Sequence, residues 1–117
     1  NRLYLDGSHN PLGAKALNEY LNTLDCKKHL IIGMMSNKDH KEYLSKFNNI
    51  SSVTTIDIPN QPNAIKGLDL KEKLNKYENV SYKKSIEEAL VSLNLDKDDL
   101  IMITGSLYLA GELLNLN

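Results

Sequence analysis

Three short polar segments of this 117-residue chain carry the side chains whose types and spacing are suited to chemistry. Residues 6–11 read Asp-Gly-Ser-His-Asn-Pro, residues 36–40 read Ser-Asn-Lys-Asp-His, and residues 104–106 read Thr-Gly-Ser. Each segment follows an apolar run that is typical of a buried strand. Carboxylate, imidazole and hydroxyl groups beside helix N-termini can hold a sugar diol, a phosphate or an amino-acid carboxylate. The pattern therefore predicts a binding site for a small polar ligand.

The elements that would position these segments alternate between strands and helices. Apolar or β-branched runs predict five strands, at residues 3–5, 30–34, 53–58, 80–82 and 100–103. A segment of helical period follows each run, which is typical of a mostly parallel sheet covered on both faces. We therefore predict an α/β, Rossmann-like fold with a mostly parallel sheet of about five to six strands and helices on both faces. Ligands bind at the carboxyl ends of such strands, so the three polar segments should meet along one edge.

Capping residues and apolar stripes mark the five predicted helices. Asn10 is suited to cap the first helix, with Pro11 in its first position. Ser85 and Glu88 have the spacing of a capping box, in which Glu88 would accept the N–H of Ser85. Ile86, Ala89, Leu90 and Leu93 are predicted to face inward. The apolar residues that mark the other predicted helices are Leu12, Ala16, Leu17, Tyr20, Leu21, Leu24, Tyr43, Leu44, Phe47, Leu70, Leu74, Tyr77, Leu107, Ala110, Leu113 and Leu114.

Composition and charge argue against several function classes. The chain has 14 basic and 15 acidic residues and a net charge of −1, so it lacks the basic surface typical of proteins that bind nucleic acid or anionic membranes. Its longest apolar stretch, residues 30–35, is far shorter than the ~20 residues of a membrane-spanning helix. The single cysteine, Cys26, cannot form an internal disulfide and favours a reducing compartment. We expect a cytoplasmic protein that binds small molecules.

The same polar segments carry a family resemblance. Residues 5–11 are similar to the strand followed by D-x-A-H-N-P in the C-terminal domain of the Mur ligase superfamily, with Ser8 in place of the usual alanine. Residues 33–39, Gly-Met-Met-Ser-Asn-Lys-Asp, resemble the G-x-x-x-x-K-D segment of the superfamily's folate branch. Residues 104–112, Thr-Gly-Ser-Leu-Tyr-Leu-Ala-Gly-Glu, resemble that branch's T-G-S-L-Y-x-x-G-E ending. Residues 1–117 thus look like the C-terminal, glutamate ligase domain of a folylpolyglutamate or dihydrofolate synthase, a fragment of a longer multi-domain enzyme.

The resemblance implies an enzyme that uses ATP and Mg²⁺ to convert a pterin-linked carboxylate into an acyl phosphate, which the amino group of glutamate then attacks. Its substrates would be ATP, glutamate and pteroate or folate. The phosphate-binding loop and the Mg²⁺ ligands would lie in a preceding ATPase domain, since this chain contains no G-x-x-x-x-G-K-[ST] motif. We therefore expect this domain to close over ATP, to be inactive alone, and to belong to a monomeric enzyme.

Residue roles follow from position in the matching motifs. The resemblance implies a contact of Asp6 with the ribose of ATP, and glutamate binding by His9 and Ser106, with His9 as the catalytic residue. Each has a structural alternative, because Asp6 could form a turn, His9 could brace its loop and Ser106 could cap a helix. Secondary site candidates are Ser8, Asn10, Lys38 and Asp39.

Several alternatives stay open at this point. His29 and His40 have no metal-ligand spacing, so we predict that they are structural and that the chain holds no metal site. Asn63 stands where related sequences often have an arginine, which puts that arginine's role in doubt here. The competing functions are a ligase that builds peptidoglycan and a non-catalytic module that binds a nucleotide or an amino acid.

Overall fold

A computed structural model of the chain describes residues 2–74, 79–109 and 111. Within these residues, five strands alternate with four helices. In chain order they are β1 (Arg2–Leu5), α1 (Pro11–Leu21), β2 (Lys28–Ile32), α2 (His40–Ser45), β3 (Ser52–Thr55), α3 (Gly67–Lys73), β4 (Val80–Tyr82), α4 (Ile86–Ser92) and β5 (Leu100–Thr104). Residues 107–109 are also helical.

The strands form one sheet in the order β1-β5-β2-β3-β4, and every neighbouring pair is parallel. The last strand, β5, therefore lies between the first two. Ile103 is paired with Leu5 on one side and with Ile31 on the other. The predicted α/β fold with a parallel sheet is confirmed, and β5 brings the carboxyl ends of β1 and β2 close together.

Apolar side chains of the sheet form two cores, one on each face. Leu30 and Ile32 of β2 lie in a cluster with residues of α1, α2 and α3, whereas Ile31 lies in a second cluster with residues of α4 and with Leu109. Successive side chains of a strand point to opposite faces, so a continuous apolar run is buried on both sides. Helices therefore cover both faces, as the sequence predicted.

The predicted caps are present with one difference in detail. The side chain of Asn10 accepts the N–H of Gly13 at 2.9 Å, and Pro11 is the first residue of α1. The Ser85 hydroxyl accepts the N–H of Glu88 at 3.1 Å. The Glu88 carboxylate accepts the N–H of Lys84 at 3.2 Å rather than that of Ser85.

The predicted stripe of α1 is partly wrong. Ala14, Leu17 and Leu21 form its buried face, while Leu12 is 78% exposed and Ala16 is also exposed. A helix turns by about 100° per residue, so Leu12 and Ala16 lie nearly opposite Ala14. The packing of α1 against α2 and the sheet, rather than the count of apolar residues, selects the buried face. Tyr20 and, in the last predicted helix, Leu107 are exposed as well, and Tyr77, Ala110, Leu113 and Leu114 lie outside the described residues.

The bounds of two strands differ from the prediction by two or more residues. Strand β2 begins at Lys28 and ends at Ile32, and β3 ends at Thr55 rather than at residue 58. Lys28 can occupy a buried strand position because its Nζ donates to the carbonyl oxygen of Leu24 at 2.6 Å. Ile58 lies beyond β3 but is still buried, so its apolar character reflects core packing. Among the residues described, no helix combines the length and the apolar character that crossing a membrane requires.

His29 joins three elements at the amino end of the sheet. Its Nδ1 lies 2.7 Å from the hydroxyl of Ser52, and its Nε2 lies 3.1 Å from Asp99 Oδ2. The same carboxylate accepts the N–H of Asp96 at 3.0 Å. That N–H, together with the hydrogen bond and charge of His29 and the charge of Lys27, lowers the pKa of Asp99 below its ordinary value. The structural interpretation of His29 is consistent with these partners.

We expect Asp99→Asn to remove a pH-dependent contribution to stability. Because folding lowers the pKa of Asp99, its carboxylate stabilises the fold above the ordinary pKa of about 4, and this contribution is lost as the pH falls through the folded value. The variant should therefore be less stable than the wild type at pH 7, and the difference should shrink towards pH 3. Urea unfolding across this range measures it, with exposed Asp98→Asn as the control. A difference that does not change with pH would contradict the assignment.

Candidate functional site

A cleft of about 500 Å³ opens at the carboxyl edge of the sheet. Its lining comes from the segments that follow β1, β2, β3 and β5, namely His9, Met35, Ser36, Asn37, Lys38, Asn63, Ser106, Leu107 and Tyr108. The chain leaves β2 towards one face of the sheet and leaves β5 towards the other. Neighbouring parallel strands that part in this way leave a crevice between their loops, where ligands of α/β proteins bind. The three predicted segments therefore meet as expected.

His9 presents an unpaired polar atom at this cleft. Its Nδ1 is buried, and no atom of the described residues forms a hydrogen bond with it. Leaving such a group without a partner costs about 1–3 kcal/mol, so buried polar atoms are nearly always paired. The imidazole also lines the cleft. A ligand that supplies a hydrogen bond to Nδ1 would recover this cost.

Ser106, in the segment that follows β5, lines the same cleft as His9. It is only 2% exposed, and its hydroxyl oxygen accepts the N–H of Tyr108 at 3.1 Å. This hydrogen bond is the helix-start role foreseen as the alternative for Ser106. The hydroxyl proton is still available as a donor, so the structural role and a ligand contact are compatible.

The sharp turn at Gly105 places Ser106. Gly105 has φ +111°, a conformation that residues with a side chain rarely adopt. A Cβ added there would lie 2.5 Å from the carbonyl oxygen of Gly33. Only glycine therefore allows β5 to approach β2 this closely and still direct Ser106 to the cleft.

Asp6 lies on the loop of residues 6–11, which we call the signature loop, but it is not among the residues that line the cleft. Its Oδ1 accepts the backbone N–H of Ser8 at 2.7 Å, which is the local hydrogen bond of an Asp-initiated turn. The turn-forming role is thus present in the structure. The predicted ribose contact stays a prediction.

Ser8 contacts two buried hydroxyl groups instead of the cleft. Its Oγ lies 3.0 Å from Tyr43 Oη and 3.3 Å from Thr104 Oγ1. Burial raises the pKa of the Tyr43 phenol, so the group is a neutral hydrogen-bond donor at physiological pH. The sequence marked Tyr43 only as an apolar residue of the second predicted helix, because nothing in its spacing signals a polar partner on another segment.

The remaining secondary candidates divide between the cleft and the helix ends. Lys38 lines the cleft. Asn10 caps α1, and Asp39 caps α2 by accepting the N–H of Glu42 at 3.1 Å. His40 is buried with its Nε2 2.9 Å from the carbonyl oxygen of Met35, in keeping with a structural role.

The loop after β3 contributes to the cleft in a way that the sequence did not predict. Asn63 lines it because the carbonyl oxygen of Asn63 accepts both the N–H and the hydroxyl of Ser36, at 2.8 and 2.7 Å. Met35 and Ala64 form an isolated bridge beside these bonds. The cluster of turn residues at the carboxyl end of β3 was the available signal, since loops there face the same edge.

The amino-acid sequence matches the model of one protein family. Residues 1–107 match the sequence model of the Mur ligase, glutamate ligase domain. The chain belongs to this family. No curated protein matches it in sequence.

Solved structures agree with this Mur ligase domain. Folylpolyglutamate synthase from Mycobacterium tuberculosis, complexed with ADP and AMPPCP, is 22% identical with a TM-score of 0.86, over 97% of this chain and 29% of that one. The Thermotoga maritima folylpolyglutamate synthase is 28% identical with a TM-score of 0.82, over 95% of this chain and 26% of that one.

A third relative is the bifunctional folylpolyglutamate synthase/dihydrofolate synthase from Yersinia pestis, complexed with AMPPNP and a Mn ion. It is 22% identical with a TM-score of 0.83, over 97% of this chain and 28% of that one. The predicted resemblance to the C-terminal domain of these synthases is confirmed, and the chain spans less than a third of each.

We expect Gly105→Ala to destabilise the Mur ligase domain. The left-handed backbone alone should lower the free energy of unfolding by about 1–3 kcal/mol, and the contact with the Gly33 carbonyl should add to this. Chemical denaturation measures the change. Gly111→Ala is the matched control, because a Cβ there has no neighbour within 4 Å. Equal stability of the two variants would show that the turn is not constrained as described.

Proposed function

We propose that this chain is the C-terminal domain of an ATP-dependent ligase that joins L-glutamate to dihydropteroate or a folate. Residues 1–117 would form one domain of a longer multi-domain enzyme, a proposal supported by the much greater length of the solved relatives. In the proposed reaction, the substrate carboxylate takes the γ-phosphoryl group of ATP and ADP leaves. The amino nitrogen of glutamate then attacks the acyl carbon, and phosphate and a proton are released as the amide forms.

The observation that carries the proposal is the set of polar groups gathered at the cleft. His9 with its unpaired Nδ1, the ammonium of Lys38 and the hydroxyl of Ser106 come from three separate segments. Hydrogen bonds between charged groups and carboxylates are stronger than neutral ones, so Lys38 suits an anionic partner. Glutamate offers two carboxylates and an amino group to such a set. We therefore assign glutamate binding to His9 and Ser106, with His9 contacting the reacting groups.

Nucleotide binding rests on different support. The relatives bound to ADP, AMPPCP or AMPPNP support the use of ATP by the longer enzyme. We assign Asp6 to a contact with the ATP ribose, since its carboxylate has more acceptor sites than the single Ser8 N–H occupies. The described residues contain no group of three His, Cys, Asp or Glu arranged to hold a metal. We place the Mg²⁺ ligands in the other domains, and the Mn ion of the Yersinia pestis relative supports divalent-metal use.

The other parts of the proposal concern the protein as a whole. Its partners would be its small-molecule substrates and the N-terminal ATPase domain of the same polypeptide, with no nucleic acid or membrane among them. We propose a monomeric, cytoplasmic enzyme. In this arrangement the cleft faces the ATPase domain and closes over ATP.

The proposal is tested by assaying the full-length protein and the 117-residue chain side by side. The full-length protein should hydrolyse ATP only when both glutamate and either dihydropteroate or a tetrahydrofolate are present, and mass spectrometry should detect the product with one more glutamate. The isolated chain should fold but release no phosphate. Phosphate release by full-length protein that is independent of glutamate would contradict the proposal.

Two single-residue variants of the full-length enzyme should affect different substrates. His9→Ala should raise the apparent KM for glutamate and lower kcat, a loss of about 2–4 kcal/mol in kcat/KM, because it removes a contact to the reacting groups. Asp6→Ala should instead raise the apparent KM for ATP, by a factor that corresponds to a loss of about 1–2 kcal/mol in binding free energy. Steady-state kinetics with each substrate varied separately makes the comparison.

Asp6→Asn is the matched control, because an amide oxygen can still accept the Ser8 N–H that closes the turn. It should keep the melting temperature of the wild type while weakening the charge-assisted contact to ATP. If His9→Ala affected both substrates equally and lowered the melting temperature, His9 would be a structural residue of its loop.

A further inference from the structure

Three hydroxyl groups from separate parts of the chain meet behind the cleft. Tyr43 Oη of α2 lies 2.8 Å from Thr104 Oγ1 of β5 and 3.0 Å from Ser8 Oγ of the signature loop. The Ser8 and Thr104 oxygens are 3.3 Å apart. Tyr43 is completely buried and Thr104 is 1% exposed. We call Ser8, Tyr43 and Thr104 the hydroxyl triangle.

Tyr43 also supports the backbone hydrogen bond that joins the signature loop to Gly105. Tyr43 Oη donates to the carbonyl oxygen of Ser8 at 3.2 Å, and the N–H of Gly105 donates to the same carbonyl at 3.1 Å. With the Tyr43 proton used in this way, the hydroxyls of Ser8 and Thr104 have two protons for the three contacts among the hydroxyl oxygens, so two of these contacts are hydrogen bonds at any one time. A buried hydroxyl set with all protons used is rigid, because breaking one bond leaves a polar group unpaired.

Ser8 and Gly105 directly precede His9 and Ser106, the two residues assigned to glutamate. The hydrogen bond between Ser8 and Gly105 therefore determines how far apart those two residues lie across the cleft. An error of about 1 Å in such a separation is enough to cost a large factor in rate. Among the described residues, the signature loop forms no other direct backbone hydrogen bond with the turn at Gly105.

We propose that Tyr43, through Ser8 and Thr104, is a positioning residue that holds His9 and Ser106 at the separation required by glutamate. This inference rests on the proposed function. None of the three residues lines the cleft, so we assign them a positioning role and no contact with glutamate. Tyr43 acts on the loop that carries His9 and on the strand that leads to Ser106, and both of these segments are remote from it in sequence.

The geometry favours positioning over a purely stabilising role. The ring of Tyr43 contributes to the apolar core, since it packs edge-on against the ring of Phe47 with centroids 5.6 Å apart. Its hydroxyl makes the contacts with Ser8 and Thr104. Tyr43→Phe keeps the ring and its packing and removes only the hydroxyl, so the two contributions can be separated.

The test uses steady-state kinetics of the full-length enzyme. Tyr43→Phe should raise the apparent KM for glutamate by about three- to tenfold, the effect of one to two hydrogen bonds, while the KM for ATP changes less than about twofold. Tyr82→Phe is the matched control, because it also removes a tyrosine hydroxyl, in this case one that donates to Asp57. Tyr82 lies on β4, the edge strand at the opposite end of the sheet from β1. Equal increases in KM for both substrates, or a glutamate KM no higher than in Tyr82→Phe, would overturn the proposal.

A double-mutant cycle tests the route through Ser8. Ser8→Ala and Tyr43→Phe remove the two ends of one contact, so the glutamate KM of the double variant should be lower than the product of the two single effects predicts. Multiplicative effects would show that Tyr43 does not act through Ser8. Restoring the hydroxyl at residue 8 with Ser8→Thr should preserve more activity than Ser8→Ala does.

A measurement without turnover separates this inference from the proposed function. In full-length protein with isotope-labelled histidine, the imidazole signal of His9, assigned by its absence in His9→Ala, should shift or broaden in Tyr43→Phe. It should stay in place in Tyr82→Phe. An unchanged His9 signal would overturn the positioning role even in an active enzyme, and a changed signal would support it even if the reaction proved different.

Discussion

The site depends on the insertion of β5 between β1 and β2. Leu5 pairs with Ile103, and Ile32 pairs with Thr104, so the carboxyl ends of three strands lie side by side. These pairs join residues that are far apart in sequence, and the chain must close long loops before they form. The cleft, the hydrogen bond between Ser8 and Gly105 and the contacts of the three hydroxyls all require this strand order. A chain that lacked β5 would retain none of them.

Close approach of the central strands adds a second constraint. The carbonyl oxygen of Gly33 lies only 2.5 Å from the position that a Cβ of residue 105 would take, and Gly105 adopts a positive φ where the chain turns towards the cleft. Backbone conformations of this kind recur at functional sites, where the surrounding structure holds them in place. Here the surrounding structure is the Ser8 carbonyl, which accepts the Gly105 N–H. The turn and the signature loop therefore hold each other.

The polar residues of the segments 6–11 and 36–40 divide into two groups. Asp6, Asn10 and Asp39 accept backbone N–H groups two or three residues further along the chain, so they build the loops and begin the helices. His9 and Lys38 have longer side chains, which extend to the lining of the cleft. A short acceptor is well placed for its own backbone, whereas a longer side chain reaches beyond it. One motif can thus contain both the scaffold and the ligand contacts.

The sequence by itself determined the features that depend on local physics. Alternating apolar runs predicted the α/β fold, and Asn10 with Pro11 predicted the start of α1, because periodicity and caps involve residues close together in the chain. Only the tertiary structure decided that Leu12 faces solvent, that Asn63 joins the cleft and that Tyr43 meets Ser8 and Thr104. These features depend on which helix face meets the sheet and which loops become neighbours. Contacts between residues remote in sequence leave no local periodicity, so packing alone could reveal them.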